Sequence, residues 1–192
     1  KDVLEMGTRR FFHRDPVKSW LWYLDRFDKA RHADPNPAHY ALAAIEQKLR
    51  DAGGWFTLIT QNVDGLHSRA GSKNVIEVHG SARHMRCSKR QCPNGEPRGL
   101  LDWGDARFAA FRADPKHETL PRCEVCTSII RAHVLWFDES YHDHDSYGLD
   151  HVRNALYGDP EAAKMEMAMM RREKVTWIFH EPAATVIYTA DI

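Results

Sequence analysis

The sequence lacks any apolar run approaching the roughly 20 residues a bilayer-spanning helix needs. Its first residues, Lys1-Asp2-Val3-Leu4-Glu5, carry no signal-peptide pattern. A soluble, cytoplasmic chain with no membrane partner is expected. Net charge is missing too: 27 Lys and Arg balance 27 Asp and Glu over 192 residues, so no direct nucleic-acid binding is indicated. Internal repeats and low-complexity tracts are absent, which sets aside repeat architectures. Cysteine is scarce, with four residues in two local pairs, Cys87/Cys92 and Cys123/Cys126. In a reducing compartment that spacing reads as metal before disulfide. No feature assigns an oligomeric state.

What is present suits one large domain, or a domain with an inserted subdomain. Residues 1 to 15 are mixed and charged, with Phe11-Phe12 as the first apolar anchor. From Pro16 the pattern turns helical: Trp20, Tyr23, Leu24 and Phe27 fall at spacings of three and four. The helix should end near Asp34-Pro35, because a residue before proline is pushed out of the α region. A second helix is capped by Asn36, starts at Pro37, carries Ala41, Leu42, Ile45 and Leu49 as its stripe, and stops at Gly53-Gly54. It feeds a β-branched and apolar run, Trp55 to Thr60. Helix, strand, polar loop, short helix, strand is the local grammar of a doubly wound α/β sheet.

The stretch from Thr60 to Ser81 organises the chain. Thr60-Gln61-Asn62-Val63-Asp64-Gly65-Leu66-His67 and Val75-Ile76-Glu77-Val78-His79-Gly80-Ser81 read as two buried strands, each ending in a polar cluster. An open α/β sheet places its ligands at the C-terminal ends of such strands. Alone, His79 reads more readily as a hydrogen-bonded structural histidine than as a base, and Asn-Val-Asp-Gly also suits a turn. Together the two segments resemble the signatures of the sirtuin (Sir2) family of NAD-dependent protein lysine deacylases, T-Q-N-x-D-x-L-H followed by H-G. The resemblance implies a Rossmann-like sheet, NAD as cofactor and acyl-lysine proteins or peptides as substrates. It implies His79 as the general base on a ribose hydroxyl, with Gln61 and Asn62 at the ribose and Asp64 on the nicotinamide carboxamide.

Tyr23 and Arg26 share a helix face. By spacing alone they are a packed aromatic and a solvated arginine. In the sirtuin class that removes acidic acyl groups, a Tyr-x-x-Arg pair follows a tryptophan, as Trp20, Tyr23 and Arg26 do here. A guanidinium fork binds a succinyl or malonyl carboxylate bidentately, with a phenol as second donor.

The two cysteine pairs flank a segment rich in Pro, Gly and charge, and four thiolates close a tetrahedral structural zinc site. Sirtuins carry a zinc ribbon inserted between these landmarks. Ile129 to Glu139 reads as a returning strand. Its resemblance to a V-x-W/x-F-G-E segment implies that Val134, Phe137 and Glu139 hold the substrate peptide by strand addition, although Asp138 stands where glycine is commoner. His142-Asp143-His144-Asp145 reads as a solvated turn. Met165, Met167, Met169 and Met170 read as a packed helix.

The expected organisation is a Rossmann-like domain over 1–82 and 133–192, including a helical module at about 11–34, with a zinc-binding insertion at 83–132. The family's Gly-Ala-Gly loop and G-I-P-D-F-R segment do not occur before the first strand. Val175 to Phe179 runs into His180-Glu181-Pro182 rather than G-T-S. Both departures fall on phosphate- and adenosine-binding parts. The chain is therefore a deacylase fragment with an altered tail, or a zinc-stabilised peptide-binding module that no longer uses NAD. ADP-ribosyl transfer to protein is a third use of the same residues.

Overall fold

The computed structural model describes residues 3–157, 175–180 and 185–190, and these form two compact units. One unit comprises residues 1–33 and 80–146, the other residues 34–79 and 147–192. These boundaries differ from the expected ones, because the N-terminal helical module groups with the cysteine-bearing insertion. The physical reason is a shared core: Phe12, Trp20, Tyr23, Leu24 and Phe27 pack in one apolar cluster with Met85, Phe108, Phe111, Ile130 and three of the cysteines.

The first unit begins with α1 (Val3–Met6), α2 (Arg9–Arg14) and α3 (Pro16–His32). Asp15 caps α3 by accepting from the Lys18 amide at 3.1 Å, and Pro16 takes its first turn, where no amide hydrogen is needed. The buried face of α3 is the expected stripe of Trp20, Tyr23, Leu24 and Phe27. Trp20 Nε1 donates to the Ile130 carbonyl at 2.8 Å, so this buried indole also has its polar atom satisfied.

The second unit opens with α4 (Pro37–Asp51) and β1 (Trp55–Thr60). Asn36 Oδ1 accepts from the amides of Ala38 and His39, as a cap residue should. Leu42, Ile45 and Leu49 pack against Phe56 and Leu58 of β1. After β1 come α5 (Leu66–Ala70) and β2 (Val75–Glu77), which pairs with β1 in parallel, Leu58 opposite Val75 and Thr60 opposite Glu77. That parallel pair with its short crossover helix is the α/β grammar read from the sequence.

From Gly80 the chain enters the three-stranded antiparallel sheet of the first unit, in the order β4 (Leu101–Asp102), β3 (Gly80–Cys87), β5 (Ile130–Val134). The short α6 (Ala109–Ala113) lies between β4 and β5 in the chain. The expected strand over 129–139 stops at Val134, and the next residues turn for reasons given below. His144 is not in a solvated turn: it is buried, with Nε2 3.1 Å from the Gly99 carbonyl and Nδ1 accepting from the Ser146 amide at 3.1 Å.

In the second unit, α7 (Leu149–Tyr157) precedes β6 (Val175–His180) and β7 (Thr185–Ala190). β7 runs antiparallel along all six residues of β1, and β6 antiparallel to β7, so the sheet order is β2-β1-β7-β6. The sheet thus joins a parallel pair to an antiparallel pair. The methionine run lies outside the described residues. No helix among the described residues is long and apolar enough to cross a membrane.

Register at β1 is set partly by Glu46 on α4. Its buried carboxylate accepts from the amides of Lys73 at 2.9 Å and Asn74 at 2.8 Å, and Asn74 Nδ2 donates to the Phe56 carbonyl at 2.7 Å. Removing the acceptor strands two amides near the sheet. Glu46→Ala should destabilise the second unit by about 2 kcal/mol, read by denaturant unfolding, with early loss of amide-exchange protection at Leu58.

Candidate active site and metal centre

The pairing of β1 with β2 brings the two polar segments out of the sheet side by side. Beyond the last register pair, the Val78 amide donates to the Thr60 carbonyl at 3.0 Å, so Gln61 and His79 leave adjacent strands at the same sheet end. The Asn62 amide donates to Thr60 Oγ1 at 3.1 Å, which turns the chain sharply after β1. Asp64 Oδ1 accepts from the Leu66 amide at 2.9 Å and starts α5. Gly65, with φ of 73°, supplies the left-handed residue that this tight entry requires. Gln61 is exposed, and Asn62, Asp64 and His79 are half-buried. Two amides, a carboxylate and an imidazole therefore stand where a parallel sheet binds ligands.

His67, part of the same motif, has a different place. It is buried against His39, the ring centroids 4.5 Å apart. Burial first, then the neighbouring His39, lowers its pKa. The neutral ring packs.

Burial also lowers the pKa of His79, and a hydrogen bond to the Gln61 backbone partly offsets this. Its imidazole is thus neutral at pH 7, the form that accepts a proton.

Of the substrate residues expected on α3, Tyr23 is buried and its hydroxyl accepts from Trp136 Nε1 at 2.7 Å. Arg26 lies one turn later, its guanidinium 3.7 Å from the centroid of the Trp22 ring. A stacked guanidinium keeps its in-plane N–H groups available to a carboxylate.

The segment after β5 is organised by Arg131. Its guanidinium donates to both oxygens of the buried Glu139 carboxylate, Nη2 to Oε2 at 2.8 Å, and to the Val134 carbonyl at 2.8 Å. Glu139 Oε2 accepts from the Trp136 amide at 3.1 Å, and the Glu139 amide donates to the Trp136 carbonyl at 3.0 Å. This closes a turn and explains why β5 ends at Val134. The Phe137 amide donates to the Gly7 carbonyl at 3.0 Å. The amides of Trp136, Phe137 and Glu139 are thus engaged within the chain. Phe137 is 64% exposed. Asp138 accepts from the amides of Arg9 at 2.6 Å and Arg10 at 3.1 Å, a contact that glycine lacks.

Sequence reading missed this ion cluster. Arg86 and Arg131 are both fully buried; Arg86 lies 3.3 Å from Glu96 and 3.8 Å from Glu139. A charge between the apolar residues Ile130 and Ala132 was the available signal for Arg131. Glu96, in the Pro- and Gly-rich stretch, gave none.

The four cysteines converge as expected. The sulfur atoms of Cys87, Cys92, Cys123 and Cys126 all lie within 4.8 Å of one another, with Cys87–Cys126 at 3.3 Å and Cys92–Cys123 at 3.7 Å. Zinc–sulfur bonds of about 2.3 Å in a tetrahedron give sulfur separations of about 3.8 Å. The donor set therefore fits zinc and leaves no ligand position for water. The Lys89 amide points at Cys87 Sγ at 3.3 Å, and Ser128, first through its hydroxyl and then its amide, brings the Cys126 thiol down to about 6. Burial pushes Cys87 the other way. A bound cation makes all four thiolates compatible. Gln91 and Thr127 adopt left-handed backbone, with φ of 62° and 61°, next to Cys92 and Cys126, so both knuckles turn tightly despite the wider first spacing.

An α/β unit with polar strand ends, in a chain whose other unit carries a four-cysteine centre, defines the class. Residues 2–155 match the Sir2 family, and the chain belongs to that family. It is 40% identical over 136 residues, 71% of this chain, to an "NAD-dependent protein deacylase" of Thermus thermophilus, of which it covers 47%. It is 39% identical over 150 residues to the mitochondrial "NAD-dependent protein deacylase sirtuin-5" of Danio rerio, with 71% and 47% covered. A solved Sir2 homologue–NAD complex superposes with a TM-score of 0.55 at 40% identity, over 71% of this chain and 46% of that one. A Sir2–p53 peptide–NAD complex gives 0.56 at 28% identity, over 73% and 50%. The chain spans about half the length of these relatives.

Purified protein should contain about one zinc per chain by metal analysis; Cys92→Ser or chelation should abolish the near-ultraviolet dichroism of the tryptophan-rich first unit, because metal binding and folding are linked there. His79 should titrate by NMR below the ordinary 6.5. Because its folded pKa is depressed, its contribution to stability is present above that ordinary value and is lost as pH falls below it.

Proposed function

We propose that the protein carrying this chain removes acyl groups from lysine side chains of proteins, using NAD and yielding nicotinamide and O-acyl-ADP-ribose. The observation that carries this reading is the delivery of Gln61, Asn62, Asp64 and His79 to one end of a parallel strand pair. The naming of relatives at about 40% identity as NAD-dependent protein deacylases supports it. The donor set fits the ribose and carboxamide end of NAD: amides and a carboxylate match hydroxyl and amide hydrogens, and a neutral imidazole matches an acidic hydroxyl. NAD when bound supplies the electrophilic ribose carbon and the nicotinamide leaving group. In this assignment Gln61 and Asn62 orient the ribose, Asp64 accepts from the carboxamide, and His79 takes a ribose hydroxyl proton at its unprotonated nitrogen.

On the substrate side we assign Tyr23 and Arg26 to an acidic acyl group, succinyl or malonyl, and the Phe137 ring with Val134 to the peptide. Glu139 serves by holding the turn through Arg131. Zinc is structural. Four cysteines free of disulfides fit the reducing cytoplasm.

The test is nicotinamide release by mass spectrometry with NAD and matched succinyl- and acetyl-lysine peptides. Release should depend on peptide and vanish in His79→Ala. Arg26→Met should lower kcat/KM for the succinyl peptide about tenfold to a hundredfold relative to acetyl, the effect of losing charge-assisted hydrogen bonds. No release from folded, zinc-loaded protein would replace this reading with a peptide-binding module.

A further inference from the structure

We infer that Trp136 is a positioning residue for acyl selectivity: its indole N–H, held 2.7 Å from the Tyr23 hydroxyl, sets the Tyr23 and Arg26 pair against the turn that follows β5. This rests on the reading of Tyr23 and Arg26 as the acyl-carboxylate site, and extends it to a residue that no substrate need touch.

An indole N–H can only donate, so the Tyr23 oxygen is the acceptor in this contact. The phenol proton is thereby directed away from Trp136. A hydroxyl that donates on that other side suits a carboxylate.

Trp136 is itself held from three sides. It is 3% exposed, the Arg131 guanidinium lies 3.3 Å from its ring centroid, and the Phe12 ring packs at 5.1 Å. Its amide is bound by Glu139, which Arg131 grips. The indole is therefore a rigid strut between the turn and α3. Trp22 meets Tyr23 edge to face at 4.7 Å and 87°, and Arg26 stacks on Trp22. The contacts run without a break from Trp136 through Tyr23 and Trp22 to Arg26. Loosening one end by a fraction of an ångström misplaces a bidentate fork at the other, and misplacement on that scale weakens recognition steeply.

A tryptophan that merely filled the core would, when replaced, lower turnover of every peptide alike. The strut affects the acidic acyl group selectively. Trp136→Phe keeps an aromatic ring beside Arg131 and removes the indole N–H; Tyr23→Phe removes the acceptor. The experiment measures kcat and KM for succinyl- and acetyl-lysine peptides with NAD, for the protein carrying this chain, both single variants and the double variant. Trp136→Phe should lower the succinyl-to-acetyl ratio of kcat/KM about tenfold, mainly through KM for the succinyl peptide. The double variant should be no worse in that ratio than the worse single variant, because one interaction is removed twice. Independently of turnover, the Trp136 Nε1–H NMR resonance should shift in Tyr23→Phe.

An unchanged ratio in Trp136→Phe, an equal loss on both peptides, or additive losses in the double variant would overturn the inference. So would an indole resonance that does not move. If Trp136→Phe does not fold, Tyr23→Phe decides: a ratio unchanged there has the same consequence. A parent protein that deacylates both peptides alike overturns the acyl reading itself, before any substitution is made, and removes the selectivity role with it.

Discussion

Four sulfur atoms crowded within 4.8 Å are the constraint on which the first unit depends. Cys87 ends β3, and Cys123 and Cys126 precede β5, so closing the cluster brings those two strands to their antiparallel pairing. Three of the cysteines are in the same apolar cluster as the buried face of α3. The metal centre and the helix bearing Tyr23 and Arg26 are thus parts of one core. Phe108, Phe111 and Leu120, between the knuckles, are buried in that same core, so the metal centre and apolar burial order this loop-rich stretch together.

Within that core sits a second demand. Arg86 and Arg131 are fully buried, and such charges are tolerated only when paired and hydrogen-bonded. Glu96 and Glu139 supply the counter-charges, and Arg90 and Arg9 join at the margin, 2.8 Å and 3.7 Å from Glu96. His133 lies buried nearby with its pKa brought down to about 2, first by burial and then by Arg86, so it adds no further positive charge. Satisfying Arg131 draws Glu139 inward, and that curls the chain after Val134. The turn seen there is a consequence of electrostatics imposed on a sequence whose residue types favour a strand.

In the second unit the decisive contact is different in kind. A parallel pair of short strands places two polar termini at one end without any side chain having to cross between them. Thr60 contributes both its carbonyl, to Val78, and its hydroxyl, to Asn62. β7 pairs along the other edge of β1, which removes an open edge from a fully buried strand centre.

Local rules made much of this legible beforehand. Proline and asparagine at helix starts, apolar spacings of three and four, and glycines at a helix end act over one or two turns, so α3, α4 and β1 could be read directly. The paired cysteine spacing announced a metal centre because few other arrangements use four thiols. Long-range partners were not legible. Arg131 with Glu139, His144 with the Gly99 carbonyl, and Trp136 with Tyr23 join residues whose proximity no local pattern encodes. The grouping of residues 1–33 with the cysteine unit, rather than with β1 and β2, was hidden for the same reason. Residue identities and short spacings were enough to specify the elements, the donor types and the metal ligands, because propensity and ligand chemistry act locally. Which buried charges pair and where β5 stops emerged only on folding, because burial and charge compensation depend on which distant segments meet.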